Sequence, residues 1–135
     1  MRMRERAPAR LVGILALSAV ALACAQVDAA PTSSIEPSEL AARLSSGAAP
    51  VILDVRSPAE FASGHIPSAM NVPLGELSDR LAALELSPTE EIVVHCQSGG
   101  RAAAAEAILR ESGYTNVRDL SGHMVAWRAG GNPLE

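Results

Sequence analysis

The sequence predicts a single α/β domain in which a central, mainly parallel sheet carries helices on both faces. From Ile35 onward, short apolar runs of strand length alternate with segments of helical spacing, an order typical of α/β proteins. Residues 51–55 and 92–94 are largely apolar, as expected of parallel strands that are buried on both faces. The chain has 135 residues, 48% of them hydrophobic, which suffices for one aliphatic core.

Start and stop signals place the individual elements. Pro37 stands at the beginning of the first helix and Gly47 at its end, as is typical of helix termini. Pro58 and Gly64 bound a second, short helix, and Pro88 breaks the pattern after a leucine-rich stretch. The predicted order is a helix over 37–46, a strand over 51–55, a helix over 58–62, a strand over 69–72, a helical stretch through Leu77, Leu81 and Leu84, a strand over 92–94, a helix over 102–109, a strand over 117–120 and a helix over 124–127.

The first 25 residues have the composition of an export signal. Four arginines precede residues 11–23, which are apolar apart from Gly13 and Ser18. This stretch is shorter than the ~20 residues that a membrane-spanning helix needs, and small residues follow it, as signal cleavage requires. We therefore predict a signal peptide over residues 1–25, a flexible lead-in over 26–34 and one domain over 35–130. The expected location is the periplasm or the cell envelope.

Two cleavage hypotheses compete at Cys24. Residues 21–24 resemble a lipoprotein box, in which Cys24 becomes lipidated and anchors the chain to the membrane. Residues 23–25 also fit ordinary signal peptidase, and the box usually carries leucine where this chain has Ala21. In both cases Cys96 is the thiol that remains free, so we expect no intrachain disulfide in the exported chain.

Charge and composition argue against nucleic acid as a partner. The formal net charge of −4 becomes −7 when the first 25 residues, with four arginines and Glu5, are removed. The sequence contains no lysine, and the arginines that remain after removal of residues 1–25 are scattered along the chain. The spacing of the three histidines predicts no metal site.

Cys96 lies where a strand pattern ends and a helical pattern begins. A loop of small residues that opens a helix directs backbone N–H groups and the positive helix end at a bound anion. The same potential stabilises a thiolate, the nucleophilic form of cysteine. Because open α/β sheets bind ligands at the carboxyl ends of strands, we predict Cys96 as the catalytic nucleophile. The predicted substrate-binding residues are Gln97, Ser98, Gly99, Gly100 and Arg101.

Further motifs accompany this loop in a fixed order. They are Asp54-Val55-Arg56, Glu60-Phe61, Gly64-His65-Ile66-Pro67-Ser68-Ala69, Asn71-Val72-Pro73, and Gly122 with Ala126-Trp127. Together with the cysteine loop, they resemble the single-domain rhodaneses, a family of sulfurtransferases. The resemblance covers about residues 35–127, and several motifs in order are more specific than any one of them. It implies a rhodanese-like fold for the domain over 35–130.

The resemblance also implies catalysis through a persulfide. Cys96 would attack the outer sulfur of thiosulfate or of a persulfide donor and hold that sulfur until cyanide or another thiol accepts it. A partner protein is a further candidate acceptor. The implied chemistry needs no metal and no organic cofactor. The expected function is therefore that of an exported thiosulfate sulfurtransferase.

Three alternatives remain open. A non-enzymatic persulfide carrier or anion-binding module would use the same loop.

A cysteine phosphatase is the second alternative, because those enzymes also have histidine before cysteine, as in His95-Cys96. They place five residues between cysteine and arginine, whereas this chain has the four residues 97–100. We therefore expect His95 to be the polar end of a buried strand, although rhodaneses often have an aromatic residue there. The structural alternative is an inert buried cysteine in a strand-to-helix turn.

Four other polar residues are candidates for the rim or the support of the pocket: Asp54, Arg56, His65 and His123. We expect Asp54 to accept hydrogen bonds from loop amides, and Arg56 to be exposed and to pair with Glu60. His65 is expected to be a structural histidine in a turn. His123 stands where the family more often has a second glycine, and we expect it either to be solvated at the start of a helix or to line the pocket.

Overall fold

The computed structural model describes residues 33–135 of the chain. The predicted signal peptide, Cys24 and residues 26–32 of the predicted lead-in lie outside the described residues. The described elements are, in order, β1 (Ser34–Ile35), α1 (Pro37–Ser46), β2 (Val51–Asp54), α2 (Pro58–Ala62), β3 (Met70–Asn71), a 3-10 helix (Leu74–Glu76), α3 (Leu77–Arg80), a second 3-10 helix (Leu81–Leu84), β4 (Ile92–His95), α4 (Gly100–Glu111), β5 (Val117–Leu120) and α5 (His123–Ala129).

Within the described residues, five strands form one parallel sheet in the order β1-β5-β4-β2-β3. The strand β4 is central, since Ile92 lies opposite Val51 of β2 and Val117 of β5. Parallel strands end at the same edge of a sheet, so the chain leaves β2, β4 and β5 on one side. The predicted parallel α/β sheet is confirmed.

Alternate side chains of the strands fill two hydrophobic clusters, one on each face of the sheet. On one face, Leu53 packs in a cluster with Leu109 of α4. On the other face, Val93 packs in a cluster with Leu40 of α1 and Trp127 of α5. Helices therefore cover both faces, as the sequence predicts, and this arrangement brings α4 and α5 to opposite sides of β4.

The leucine-rich stretch that the sequence predicts as one helical segment consists of three short pieces. A 3-10 helix precedes α3 and another follows it, and Glu85 then takes a left-handed φ of 52° that ends the stretch. Leu77 and Leu81 still face the core beneath α4. The spacing of the leucines thus predicted the buried side of the stretch but not its hydrogen-bonding pattern.

The last residues of the chain pack on the domain. The indole Nε1 of Trp127 donates to the carbonyl of Pro133 at 2.8 Å, and His65 and Glu135 exchange two backbone hydrogen bonds of 2.9 Å. The packing therefore continues past residue 130, where the sequence places the domain boundary. No helix within residues 33–135 is long and apolar enough to cross a membrane.

Glu106 is a buried acid outside the cysteine loop. It lies in α4 and is 6% exposed, and it faces Asp119 of β5 and the guanidinium of Arg110. Burial and the neighbouring carboxylate of Asp119 raise the pKa of Glu106 to about 7. Glu106 therefore keeps its proton in the folded protein at pH values where it has lost it in the unfolded chain.

We predict that this acid makes the domain less stable as the pH rises toward neutrality. Glu106 titrates near 4.5 when unfolded and near 7 when folded, so its stabilising contribution is complete below the unfolded pKa and is lost as the pH rises through the folded pKa. Thermal unfolding should show that the free energy of unfolding of the unmodified domain falls by on the order of 1–3 kcal/mol between about pH 5 and pH 8. The Glu106→Gln variant should lack this fall. The same pH dependence in both proteins would contradict this prediction.

Candidate active site

Cys96 is the first residue after β4, at the carboxyl end of the central strand. The residue is 1% exposed and belongs to the core cluster on the α4 face. Its Sγ accepts a hydrogen bond from the backbone N–H of Gly99 at 3.0 Å. The loop after β4 therefore curls around the sulfur, and the thiol lies inside the turn.

The turn depends on Gly99. Its φ of 124° is a conformation that residues with a side chain rarely adopt, and its N–H donates to the sulfur. Gly100 is the first residue of α4, and a Cβ added there meets no atom within 4 Å. Of the two glycines expected to curl the loop, Gly99 carries the positive φ. Gln97 is half-buried and Ser98 is exposed at the surface of the turn.

The first turn of α5 holds the backbone of the loop. The N–H of Met124 donates to the carbonyl of Cys96 at 3.1 Å, and the N–H of Val125 donates to the carbonyl of Gln97 at 3.3 Å. N–H groups in the first turn of a helix have no partner within that helix, so they are available to another segment. The loop is thus fixed by a helix that begins 27 residues after the cysteine.

His123, the first residue of α5, also contacts the loop. It is 5% exposed, and its Nδ1 accepts a hydrogen bond from the N–H of Cys96 at 3.3 Å. Its Nε2 lies 3.4 Å from Oδ1 of Asp119. The expectation of a solvated His123 is wrong, because the buried N–H of Cys96 needs an acceptor and the imidazole supplies it. The alternative, that His123 lines the pocket, stays a prediction.

The guanidinium of Arg101, expected as the cation of the pocket, is paired with Glu60. The two nitrogens Nη1 and Nη2 donate to the two carboxylate oxygens at 2.7 and 2.9 Å. These hydrogen bonds hold the pKa of Glu60 well below its usual range and raise the pKa of Arg101. The carboxylate therefore balances part of the charge of the guanidinium, and the N–H of Gly99 and the start of α4 add positive potential at the sulfur.

Glu60 pairs with Arg101 and not with Arg56, the partner that the sequence predicts. Its carboxylate accepts the N–H of Ser57 at 2.9 Å, and the hydroxyl of Ser57 accepts the N–H of Glu60 at 3.2 Å, which forms a capping box at the start of α2. The spacing of Ser57 and Glu60 signals this cap in the sequence. The pairing with Arg101 joins residues 41 positions apart and has no local signal.

Comparisons with known proteins agree with this geometry. The model of the family described as the rhodanese-like domain matches residues 36–130. The chain belongs to the rhodanese family. A sulfurtransferase of Allochromatium vinosum is 34% identical over 100 residues, which cover 74% of this chain and 92% of that protein. The rhodanese domain is also similar to the Alr3790 protein of Anabaena sp., whose crystal structure is 35% identical, with a TM-score of 0.69 and coverage of 75% of this chain and 81% of that one.

One relative shows the same similarity within a longer protein. The HTH-type transcriptional regulator Rv0324 of Mycobacterium tuberculosis is 38% identical over 121 residues, or 88% of this chain. The chain spans about half of that protein, 52% of its length. The similarity therefore concerns part of Rv0324.

Asp54 and Arg56 of this rhodanese domain form a buried ion pair behind the loop. Nε and Nη2 of Arg56 donate to the carboxylate of Asp54 at 2.7–3.1 Å, and Nη2 also donates to the carbonyl of Gly64 at 2.9 Å. Arg56 is 1% exposed, so the expectation that it is exposed and pairs with Glu60 is wrong. The side chain folds back onto the carboxylate two residues earlier, while Arg101 takes Glu60. The pair supports the segment between β2 and α2.

His95, next to the cysteine, is fully buried at the end of β4, where the sequence analysis placed it. Its Nε2 lies 3.7 Å from Oδ2 of Asp54, and neither ring nitrogen has a hydrogen-bond partner among the described residues. Burial lowers the pKa of His95 to about 4, so the imidazole is neutral at neutral pH. A neutral ring adds no positive charge beside the sulfur.

His65 has partners other than the cysteine loop. Its Nδ1 donates to the carbonyl of Phe61 at 3.0 Å, and its ring stacks on that of Phe61 with centroids 3.7 Å apart. The contacts agree with the expected structural role in a turn. Among residues 33–135, no three His, Cys, Asp or Glu side chains lie together in a group that fits a metal ion.

We predict different outcomes for alanine at the two adjacent glycines of the loop. Gly99→Ala places a Cβ 3.0 Å from Nε2 of His123 on a backbone with φ of 124°, so it should destabilise the domain by about 1–3 kcal/mol. Gly100→Ala meets open space at the start of α4 and should change stability by less than about 1 kcal/mol. Urea unfolding of both variants measures the difference, and equal destabilisation would contradict it.

Proposed function

We propose that this rhodanese domain belongs to an exported sulfurtransferase that moves sulfane sulfur from thiosulfate or a persulfide donor through a persulfide on Cys96. One observation carries the proposal. The N–H of Gly99 lies 3.0 Å from Sγ, inside a loop with four residues between Cys96 and Arg101. The name of the Allochromatium relative, a sulfurtransferase, supports the class of reaction.

In the first half-reaction, the thiolate of Cys96 attacks the outer sulfur of thiosulfate. A new S–S bond forms to Cys96, the S–S bond within thiosulfate breaks, and its electron pair leaves with sulfite. The persulfide on Cys96 then carries one negative charge. The N–H of Gly99 and the start of α4 are placed to stabilise negative charge at this position.

In the second half-reaction, a thiophilic acceptor attacks the outer sulfur of the persulfide. The bond between the two sulfurs breaks, and its electron pair returns to Cys96 as the thiolate. Cyanide gives thiocyanate, and a thiol gives a new persulfide and leaves its proton on that product. Neither half-reaction requires a general base, which fits a neutral, buried His95 and a His65 bonded to Phe61.

A persulfide carrier is the second candidate function. Cys96 is the free cysteine of the described residues, so no thiol from residues 33–135 stands ready to resolve a persulfide. A carrier would hold the sulfur until a partner protein takes it. Repeated turnover with thiosulfate and cyanide distinguishes an enzyme from a carrier that small acceptors discharge slowly.

The paired state of Arg101 argues against a phosphatase. A phosphoryl group needs a guanidinium that is available to its oxygens, whereas Arg101 donates to both oxygens of Glu60. The loop of residues 97–100 is also one residue shorter than the corresponding loop of cysteine phosphatases. The group that Cys96 holds in the proposed sulfur transfer is a single sulfur atom, which is smaller than a phosphoryl group.

Export remains part of the proposal. The signal peptide over residues 1–25 would deliver the domain to the periplasm or cell envelope, with or without a lipid on Cys24. The mass of the mature N-terminus discriminates between these two hypotheses, because lipidation adds acyl chains to Cys24.

We predict that Cys96→Ser reduces the transfer of sulfur from thiosulfate to cyanide to the uncatalysed rate. The hydroxyl is close in size to the thiol, so the fold should be kept while the nucleophile is lost. The matched control is Cys24→Ser, the same substitution outside the loop, in the full chain produced without signal cleavage; it should leave the rate unchanged.

Two outcomes would contradict the proposal. Retained thiocyanate formation in the folded Cys96→Ser protein would remove Cys96 from the reaction. Hydrolysis of an aryl phosphate that is lost in the same variant would instead favour the phosphatase.

A further inference from the structure

His123 has an unusual set of contacts for a residue outside the cysteine loop. Its imidazole lies between the N–H of Cys96, at 3.3 Å from Nδ1, and Oδ1 of Asp119, at 3.4 Å from Nε2. It also lies against the turn, since a Cβ on Gly99 would be 3.0 Å from Nε2. The side chain thus lies against Cys96, which carries the sulfur, and against Gly99, which donates the hydrogen bond to it.

We propose that His123, oriented by Asp119, is a positioning residue for sulfur transfer, which it serves by fixing the peptide group of Cys96. The inference rests on the proposed function for the identity of the reaction. It concerns a residue that does not touch the transferred sulfur and acts through the backbone of the cysteine.

The hydrogen bond from the N–H of Cys96 defines the tautomer of His123. Because Nδ1 accepts from this N–H, the ring proton lies on Nε2, which lies 3.4 Å from Oδ1 of Asp119. The negative charge of this neighbouring carboxylate favours the orientation in which the Nε2 side of the ring faces Asp119. Nδ1 therefore remains directed at the N–H of Cys96.

Through this contact, the start of α5 binds both polar groups of the Cys96 backbone. The N–H of Met124 donates to the carbonyl of Cys96, and the imidazole of His123 accepts the N–H of Cys96. With its backbone fixed on both sides, Cys96 keeps its Sγ in line with the N–H of Gly99. Removal of the imidazole would orphan a buried N–H and release one side of the turn.

The backbone of His123 supports the inference independently. Its φ is 52°, in the left-handed region where a residue with a side chain is strained. Glycine would relieve this strain, because it has no side chain to clash in the left-handed region. The chain keeps a strained imidazole at the point where it reaches the N–H of Cys96.

The test compares His123→Gly with the unmodified full chain. Glycine suits the left-handed backbone, so the variant should fold, which its thermal unfolding checks. The value of kcat/KM for thiosulfate should fall by about fivefold, the factor expected for one lost hydrogen bond. A second measurement follows the alkylation of Cys96 by iodoacetamide in the folded protein, detected by mass spectrometry of the Cys96 peptide. The pH at which the rate of alkylation is half maximal should rise by about 0.5–1 unit in the variant, because the thiolate loses part of its stabilisation.

Two further variants separate positioning from general stability. His123→Asn keeps a residue that tolerates the left-handed conformation and restores a hydrogen-bond acceptor, so it should recover part of both losses. Glu85→Gly relieves the same φ of 52° at an exposed position after the second 3-10 helix and should change neither measurement. A folded His123→Gly protein with an unchanged alkylation profile would overturn the positioning role.

The two readouts also keep the two proposals distinguishable. Alkylation of Cys96 does not require sulfur transfer, so it reports on the position of the loop whatever the reaction is. An unmodified chain that transfers no sulfur would overturn the proposed function, whereas equal alkylation profiles of His123→Gly and the unmodified chain would overturn the role of His123.

Discussion

The candidate site depends on how the backbone of Cys96 is held at the carboxyl end of β4. Its carbonyl accepts the N–H of Met124, and its N–H donates to the imidazole of His123. A strand that ends in a loop must find new partners for its buried peptide groups, and here the start of α5 supplies them. With the backbone fixed, the sulfur faces the turn at Gly99. The position of α5 on the sheet therefore contributes to the placement of the thiol, together with the loop sequence.

The side-chain charges around the loop are largely paired with one another. Arg56 binds Asp54 within the core, and Arg101 binds Glu60 nearer to the surface. In the proposed reaction, a negatively charged sulfur donor therefore meets backbone dipoles beside cations that are already paired. Such dipoles are fixed by the fold, and the N–H of Gly99 is placed to stabilise the negative charge of a persulfide on Cys96.

The sequence predicts the parts of the molecule that depend on local patterns. The apolar run of residues 92–94, followed by glycines and a helical pattern, predicts both the buried strand β4 and the loop that leaves it. The partners of Arg56 and Arg101 could not be predicted in this way, because they depend on contacts between segments that are far apart in the chain. His123 shows the same limit, since a polar residue at a helix start suggests solvent until the sheet brings it to Cys96.

The proposed role of Cys96 as carrier of the transferred sulfur is tested most directly by the mass of the Cys96 peptide after incubation with thiosulfate and no acceptor. We expect the peptide to gain the mass of one sulfur atom, one sulfite to be released per chain, and cyanide then to restore the original mass. A Cys96 peptide of unchanged mass in the folded protein after excess thiosulfate and excess persulfide donor would contradict it.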